Sequence, residues 1–185
     1  MKKRFLLLLA ALVMLCGCGK ENGSLEQVML LRSKLLGTAC GFEVTVTADY
    51  GDKTYTFSAA CEADEQGNLR FTVTRPETIA GITGRLEKEG GKLTFDDTAL
   101  AFDLQAEGLC SPLSGPWVLI QALRGGFVRH CTMEGELLRV RVDDSFRDDA
   151  LTLDVWLEGE IPVRADIYEK NRRILALEVK DFAFR

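Results

Sequence analysis

Apolar and polar residues alternate over much of the chain, which is the pattern of half-buried β-strands. Runs with this period of two are separated by Gly, Pro and acidic residues that favour turns. The pattern therefore predicts a meander of short antiparallel strands. The predicted strands are residues 41–47, 54–61, 69–74, 82–86, 92–95, 100–104, 127–133, 136–142, 151–158, 163–169 and 174–184.

Two segments replace this alternation with helical spacing. Residues 25–36 carry apolar side chains at helical intervals and follow Ser24, which fits the start of a capping box. In residues 112–124, Pro116 suits a first helical turn, and Gly125 follows the last one. We therefore predict one helix before the sheet and a second helix that interrupts it.

The N-terminal residues have the pattern of a bacterial lipoprotein signal. Three basic residues at positions 2–4 precede an apolar run of about 11 residues, whereas a membrane-spanning helix needs about 20. The run ends in Leu-Cys-Gly-Cys at positions 15–18, which resembles the lipobox, where a thiol is acylated before cleavage. A plain secretory signal with two incidental cysteines is the alternative. The predicted parts are a signal peptide at residues 1–17, lipid attachment at Cys18, a lipidated tether at residues 18–24 and a single domain at residues 25–185.

Processing before Cys18 fixes the predicted location and charge. The lipid, with acyl chains such as palmitate, would hold the protein on the extracytoplasmic face of the cell membrane. Removing the three basic residues of the signal from the 23 Lys and Arg leaves 20 against 28 Asp and Glu, a net charge of −8. This balance argues against nucleic acid as a partner, because binding to phosphates needs a basic face.

Four further cysteines, Cys40, Cys61, Cys110 and Cys131, follow the signal region. An even number in an exported chain predicts disulfides, and four cysteines allow three connectivities. A hairpin that turns at residues 50–51 favours one of these, because it places Cys40 opposite Cys61 and leaves Cys110 for Cys131. Each bond would add about 3 kcal/mol of stability in the chain-entropy model. Four free buried thiols are the alternative.

The sequence contains no catalytic signature. His130 is the only histidine, so a His-rich metal site is excluded, and neither Ser111 nor Ser114 lies in a nucleophile elbow. The acidic pairs 143–144 and 148–149 bracket a short loop that is either a Ca²⁺ site or a solvated hairpin loop. We predict that the protein is not an enzyme and has no metal site and no cofactor.

The order of elements resembles the lipoprotein-carrier fold of LolA and LolB, shared by RseB-type sensors and by clostridial lipoproteins of the GerS kind. Arg75-Pro76 leading to Ile79 looks like the family's strand after its Arg-Pro corner, and residues 161–167 and 174–182 look like its closing strands. The resemblance implies a mainly β (α+β) domain. In it a strongly curved antiparallel sheet of about 9–11 strands, a half-barrel, wraps one or two helices.

The resemblance also implies a function. Carriers of this fold hold acyl chains in the concave face of the sheet, so we expect an apolar ligand, either a lipid or a lipoprotein acyl chain. The same alternation also suits a closed core without ligand. The alternative function is a non-catalytic scaffold that binds a cell-envelope or spore-cortex enzyme through a sheet edge or an apolar patch. The candidate cavity residues are Phe42, Val44, Tyr55, Phe57, Phe71, Val73, Phe102, Leu104, Trp117, Ile120, Val140, Val142, Val155 and Ile167.

Overall fold

The computed structural model describes residues 20–88, 90–95, 98–102, 105–106 and 109–185. The predicted signal peptide, Cys18 and Leu104 lie outside the described residues. The side chains of Phe102 and Cys110 also lie outside them, although the backbone of each belongs to a strand.

Two helices and thirteen strands are present in the described part of the chain. The helices are α1 (Lys20–Gly37) and α2 (Gly115–Gly125), and a 3₁₀ turn at Pro112–Ser114 leads into α2. The strands are β1 (Cys40–Asp49), β2 (Thr54–Ala63), β3 (Leu69–Arg75), β4 (Thr83–Glu87), β5 (Gly90–Phe95), β6 (Thr98–Phe102), β7 (Gln105–Ala106), β8 (Leu109–Cys110), β9 (Phe127–Glu134), β10 (Leu137–Asp143), β11 (Thr152–Glu158), β12 (Ile161–Glu169) and β13 (Arg172–Phe184).

Eleven strands form one antiparallel sheet in the order β6-β5-β4-β3-β2-β1-β13-β12-β11-β10-β9, and β7 pairs separately with β8. The last strand pairs with the first, so β13 joins the two halves of the meander at the centre of the sheet. The sheet is not closed, because β6 and β9 stand at its two ends. This architecture confirms the predicted fold class, a mainly β domain with a strongly curved antiparallel sheet around two helices.

One hydrophobic core joins the inward face of the sheet to both helices. Successive residues of a strand point to opposite faces, so the alternation seen in the sequence buries one face. From α1, Val28, Leu31 and Leu35 enter the core at helical spacing, and α2 contributes Leu119 and Leu123. Burying a side chain of this size stabilises the fold by about 1.5–3 kcal/mol. Packing against the sheet thus holds the helices in place.

The first helix is longer than predicted, because α1 begins at Lys20 rather than at residue 25. Ser24 therefore lies inside the helix and does not cap it. Residues 20–24, which were predicted as tether, are helical. No Pro interrupts this segment, and a serine inside a helix costs only a few tenths of a kcal/mol. The second helix starts at Gly115 with Pro116 in its first turn, as predicted.

The hairpin of β1 and β2 has a different register from the predicted one. Cys40 is opposite Ala63, and Cys61 is opposite Phe42. The shift arises because the loop has four residues, closed by a hydrogen bond from the Tyr50 N–H to the Lys53 carbonyl at 3.0 Å. The predicted bond between Cys40 and Cys61 is therefore absent from this structure, where both are buried free thiols. Cys131, the predicted partner of Cys110, is also a free thiol.

Within the described residues, no helix has both the length and the apolar character needed to cross a bilayer.

Candidate functional site

Most of the fourteen predicted cavity residues are part of the packed core. Ten of them, from Phe42 to Ile167, are buried in the single hydrophobic cluster. Tyr55 points to the same face at the end of the hairpin but is 52% exposed, and Trp117 is partly buried beside the cluster. Protein side chains therefore fill the inward face of the sheet around these ten residues. An accessible ligand site has to lie at the margin of the core.

Such a site is a cavity of about 440 Å³ that opens beside α2. Its walls come from α2, the end of α1 and the β2–β3, β4–β5 and β10–β11 connections. The volume falls in the range of about 300–1,000 Å³ that is usual for small-molecule sites. The lining residues are Leu36, Gln66, Lys88, Trp117, Val118, Gln121, Arg124, Gly125 and Asp144.

Polar side chains of α2 connect this helix to the turn between β2 and β3. Gln121 Nε2 donates a hydrogen bond to the Gly67 carbonyl at 2.7 Å, and Arg124 Nη2 donates one to the Glu65 carbonyl at 2.8 Å. Arg124 Nη1 also donates to the carbonyl of Leu35 in α1. These bonds fix three walls of the cavity relative to one another.

The turn is shaped to receive these bonds. Asp64 Oδ1 accepts hydrogen bonds from the backbone N–H groups of Gln66 at 3.0 Å and Asn68 at 2.9 Å. Gly67 has a φ of +85°, and a Cβ at this position would lie 2.7 Å from both Gln121 Nε2 and Arg124 Nε. Only glycine combines this backbone conformation with so close an approach.

The indole N–H of Trp117 is the unusual polar group of the site. Trp117 lines the cavity, and its Nε1 atom is buried without an acceptor among the described residues. Buried tryptophan N–H groups normally have a partner. Leaving a buried donor without one costs about 1–3 kcal/mol. An acceptor oxygen within hydrogen-bond distance of Nε1 would remove this cost, and a small movement of the indole ring would expose the N–H to a ligand in the cavity.

Charged groups surround the apolar wall formed by Leu36, Trp117 and Val118. Lys88 and Arg124 supply two positive charges to the lining. Asp144 is half-buried, and burial raises the pKa of its carboxyl, although a hydrogen bond from the Leu151 N–H at 2.9 Å partly offsets this effect. The nine lining residues include no Ser, Cys or His. The arrangement is suited to holding an amphiphile, with an apolar body and an oxygen-bearing head.

Apart from Asp144, the other residues singled out in the sequence do not line this cavity. His130 is exposed on β9 and shares a hydrogen bond with the Thr132 hydroxyl. In the acidic loop, Asp143 accepts from Arg129 Nε at 2.6 Å, and Asp149 accepts from Arg147 Nη2 at 2.7 Å. Throughout the described ranges, His, Cys, Asp and Glu form no group of three or more that could hold a metal ion.

Sequence patterning missed most of the cavity. Of its lining residues only Trp117 was among the candidates, because Gln66, Lys88 and Asp144 belong to separate turns that meet only in the folded chain. One local signal was available. Gln121 follows Trp117 by four residues and Arg124 follows Gln121 by three, which places a polar stripe on an otherwise apolar helix.

Comparisons with known proteins concern the fold. No family model matches the chain, and no curated protein sequence matches it. Among solved structures, it is similar to an uncharacterised conserved protein of Thermus thermophilus, with a TM-score of 0.50, 12% identity and 88% of each chain covered. A LolA superfamily protein of Nitrosomonas europaea gives a TM-score of 0.48 and 8% identity over 85% of this chain and 93% of that one. The lipoprotein LppX of Mycobacterium tuberculosis gives a TM-score of 0.43 and 14% identity over 86% of this chain and 93% of that one.

The likeness to the Thermus thermophilus protein, at 12% identity, concerns the fold alone. The order of elements and of strands in the sheet agrees with the LolA-like architecture that the sequence resemblance implies. Function has to be argued from the site itself.

Proposed function

We propose that the protein is an extracytoplasmic lipoprotein, anchored by a lipid on Cys18, that binds an acyl-chain ligand in the cavity beside α2. The observation that carries the proposal is a cavity of about 440 Å³ lined by Trp117, a residue whose buried indole N–H has no acceptor among the described residues. A ligand that fits needs an apolar chain and an oxygen that accepts a hydrogen bond. Fatty acids and acyl esters have both.

The apolar part of such a ligand would lie against Leu36, Trp117 and Val118. Each methylene removed from water contributes about 0.8 kcal/mol, so a chain of several carbons supplies most of the affinity. Lys88 and Arg124 would then attract an anionic or ester head. The LolA-like fold supports this assignment only through the family resemblance, in which acyl chains are the cargo.

The anchor proposed at Cys18 would lie next to one end of α1, and the cavity lies near the other end. Helix α1 begins at Lys20, and Leu36 lines the cavity near the other end of the helix. With a rise of about 1.5 Å per residue, these two positions are about 24 Å apart along the helix axis. A protein held in this way would receive or sense a ligand at its membrane rather than carry it between membranes.

Native mass spectrometry of residues 19–185, purified without the anchor and followed by lipid extraction, tests the ligand. We expect a bound mass in the range of a fatty acid or phospholipid. A Trp117→Phe variant should retain less of it, whereas Trp156→Phe, with the same change on the opposite face of the sheet, should retain the wild-type amount. An apo mass for the wild-type protein would contradict acyl-chain binding.

Metabolic labelling with a palmitate analogue tests the anchor separately. The full chain should incorporate label and sediment with membranes. A Cys18→Ala variant should lose the label, and Cys16→Ala, which leaves Cys18 in place, should keep it. Label on the Cys18→Ala variant would contradict the proposed attachment site.

A second candidate function is a scaffold that binds another envelope protein. The observation in its favour is strand β9, which stands at one end of the sheet and pairs with β10. Its Phe127 and Met133 side chains are 42% and 53% exposed. An edge strand with exposed apolar residues can accept a strand from a partner. A ligand-free wild-type protein in the mass measurement would favour this function.

A further inference from the structure

A second groove, of about 390 Å³, lies on the outward face of strands β2 to β5, the face that points away from the helices. Arg70, Arg85 and Lys92 line it, each from a different strand. They alternate with buried inward residues such as Leu69 and Leu86, so their side chains point outward. The groove is therefore separate from the cavity beside α2.

The three basic residues form one row across the sheet. Arg70 is directly opposite Arg85, and Arg85 is directly opposite Lys92. Like charges in directly opposed positions destabilise a sheet. The repulsion within this row does not stabilise the sheet, and the chain as a whole is acidic, with a net charge of −5. A row of positive charges of this kind indicates a site for an anionic ligand.

Nearby carboxylates neutralise the row only in part. Arg85 is in contact with Glu87 on its own strand. Glu62, which lies opposite Arg70, forms an ion pair with Arg185 instead. In the part of the chain that the structure describes, no carboxylate lies within ion-pair distance of Arg70 or Lys92. The groove therefore keeps an excess of positive charge.

Hydroxyl groups lie next to the positive charges. Thr72 is opposite Thr83, and Thr83 is opposite Thr94, so three threonines form a parallel row one outward position away. All three line the groove. The Thr83 hydroxyl donates a long hydrogen bond to the Thr94 carbonyl at 3.4 Å, which leaves the Thr72 and Thr94 hydroxyls to face a ligand. Together with two guanidinium groups and one ammonium group, they offer more donors than the two oxygens of a carboxylate can accept. A phosphate group has more oxygens, and Arg binds them in pairs.

We propose that this groove is a binding site for a phosphate group, carried by a phosphomonoester or phosphodiester ligand. The basic row attracts the anion, and the threonine row donates hydrogen bonds to its remaining oxygens. The site stands apart from the acyl-chain proposal, because it shares no residue with the cavity beside α2. Either proposal can fail without the other.

The phosphate can belong to a soluble molecule or to a phospholipid headgroup, and two probes distinguish these sources. The full lipoprotein, kept in neutral detergent micelles, is titrated with inorganic tripolyphosphate by calorimetry. In parallel, the ³¹P signal of phosphatidylglycerol in mixed micelles is followed for broadening. Saturable binding of either probe at about 0.15 M salt, where surface charges are screened beyond about 8 Å, supports the site, and the probe that binds identifies the source.

Matched variants locate the binding. The double variant Arg85→Gln/Lys92→Gln removes two charges from the row, and we expect affinity to fall about tenfold or more because charge-assisted hydrogen bonds are lost. Lys53→Gln/Arg147→Gln makes the same charge change outside the groove and should stay within about twofold of wild type.

A further variant, Thr72→Val, keeps every charge and should weaken binding by a smaller factor through loss of one hydroxyl. Circular dichroism checks that each variant is folded. No binding of either probe by the wild-type protein would overturn the proposal. So would an equal loss of affinity in the Lys53/Arg147 control, because that result would show attraction by net charge alone.

Discussion

Asp154 on β11 lies directly opposite Asp166 on β12, and both carboxylates are buried on the outward face of the sheet. Two arginines from β10 hold Asp154: Arg139 Nη2 donates to it at 2.8 Å, and Arg141 donates through both Nε and Nη2 at 2.8 and 2.7 Å. Burial alone would raise the pKa of Asp154, but the hydrogen bonds from Arg141 and Arg139 lower it below its usual value. The charged form thus stabilises the contact between β10 and β11.

Asp154→Asn should lower the free energy of unfolding by about 2 kcal/mol at pH 7, because it removes charge-assisted hydrogen bonds at a buried position. Urea unfolding measures this change. The matched control is Asp149→Asn, which breaks the exposed pair with Arg147 and should cost less than about 0.5 kcal/mol. Equal losses in the two variants would contradict the structural role of Asp154.

The hydrogen bonds of Asp154 to Arg139 and Arg141 also predict that stability depends on pH. Since the folded-state pKa of Asp154 is lowered, its stabilisation is complete well above the unfolded value of about 3.9 and is lost as the pH falls through the folded-state pKa. The stability difference between wild type and Asp154→Asn should therefore be largest at neutral pH and shrink below about pH 4. A difference that stays constant from pH 7 to pH 2 would exclude this linkage.

Gly126 connects α2 to β9 in a space that has no room for a side chain. A Cβ there would lie 2.5 Å from Val142 Cγ1, 2.6 Å from the Ala122 carbonyl oxygen and 2.8 Å from that of Asp143. Gly126→Ala should therefore destabilise the protein by about 1–3 kcal/mol. Gly125→Ala is the control, since no atom lies within 4 Å of its Cβ, and it should be neutral or slightly stabilising. Thermal unfolding of both variants compares them.

The cysteines predict a pattern of thiol reactivity. Burial raises the pKa of Cys40 to about 11, and it also raises the pKa of Cys61. At pH 8 both should therefore react with an aromatic disulfide reagent only when the protein unfolds, because the thiolate is the reactive form. Cys131 is less buried and should react first among these three. The intact mass of the protein, measured before and after reduction, checks that the cysteines start as free thiols. A mass gain of two hydrogens for each disulfide on reduction would contradict this.

Sequence alternation predicted the strands well because burial of one sheet face imposes a period of two on every strand. The β11 residues Leu153, Val155 and Leu157 are buried, and the residues between them point to the outward face. The sequence also predicted α2, where Pro116 in the first turn and Gly125-Gly126 at the end mark its limits. These features depend on local composition, so a single sequence carries them.

Features that depend on distant contacts or on local loop geometry were not predicted. The register of the β1–β2 hairpin follows from a four-residue loop, and the composition of the turn did not specify that length. The alternating inward residues were equally compatible with a cavity and with a filled core. In the structure, side chains of α1 and α2 pack against most of the predicted cavity residues. The cavity beside α2 combines Gln66, Lys88 and Asp144 from separate turns, which only the folded chain brings together.

The central claim is that Trp117 contacts an acyl-chain ligand, and its fluorescence tests this most directly. The chain has two tryptophans, so a Trp156→Phe variant leaves Trp117 as the only emitter. Titrating this variant of residues 19–185 with palmitate, below its aggregation concentration, should give a saturable one-to-one change in Trp117 emission. In calorimetry, Trp117→Phe should bind about fivefold more weakly than wild type, which corresponds to one lost hydrogen bond. Two results together would contradict this contact: Trp117 emission that does not change with palmitate, and no heat of palmitate binding by the wild-type protein.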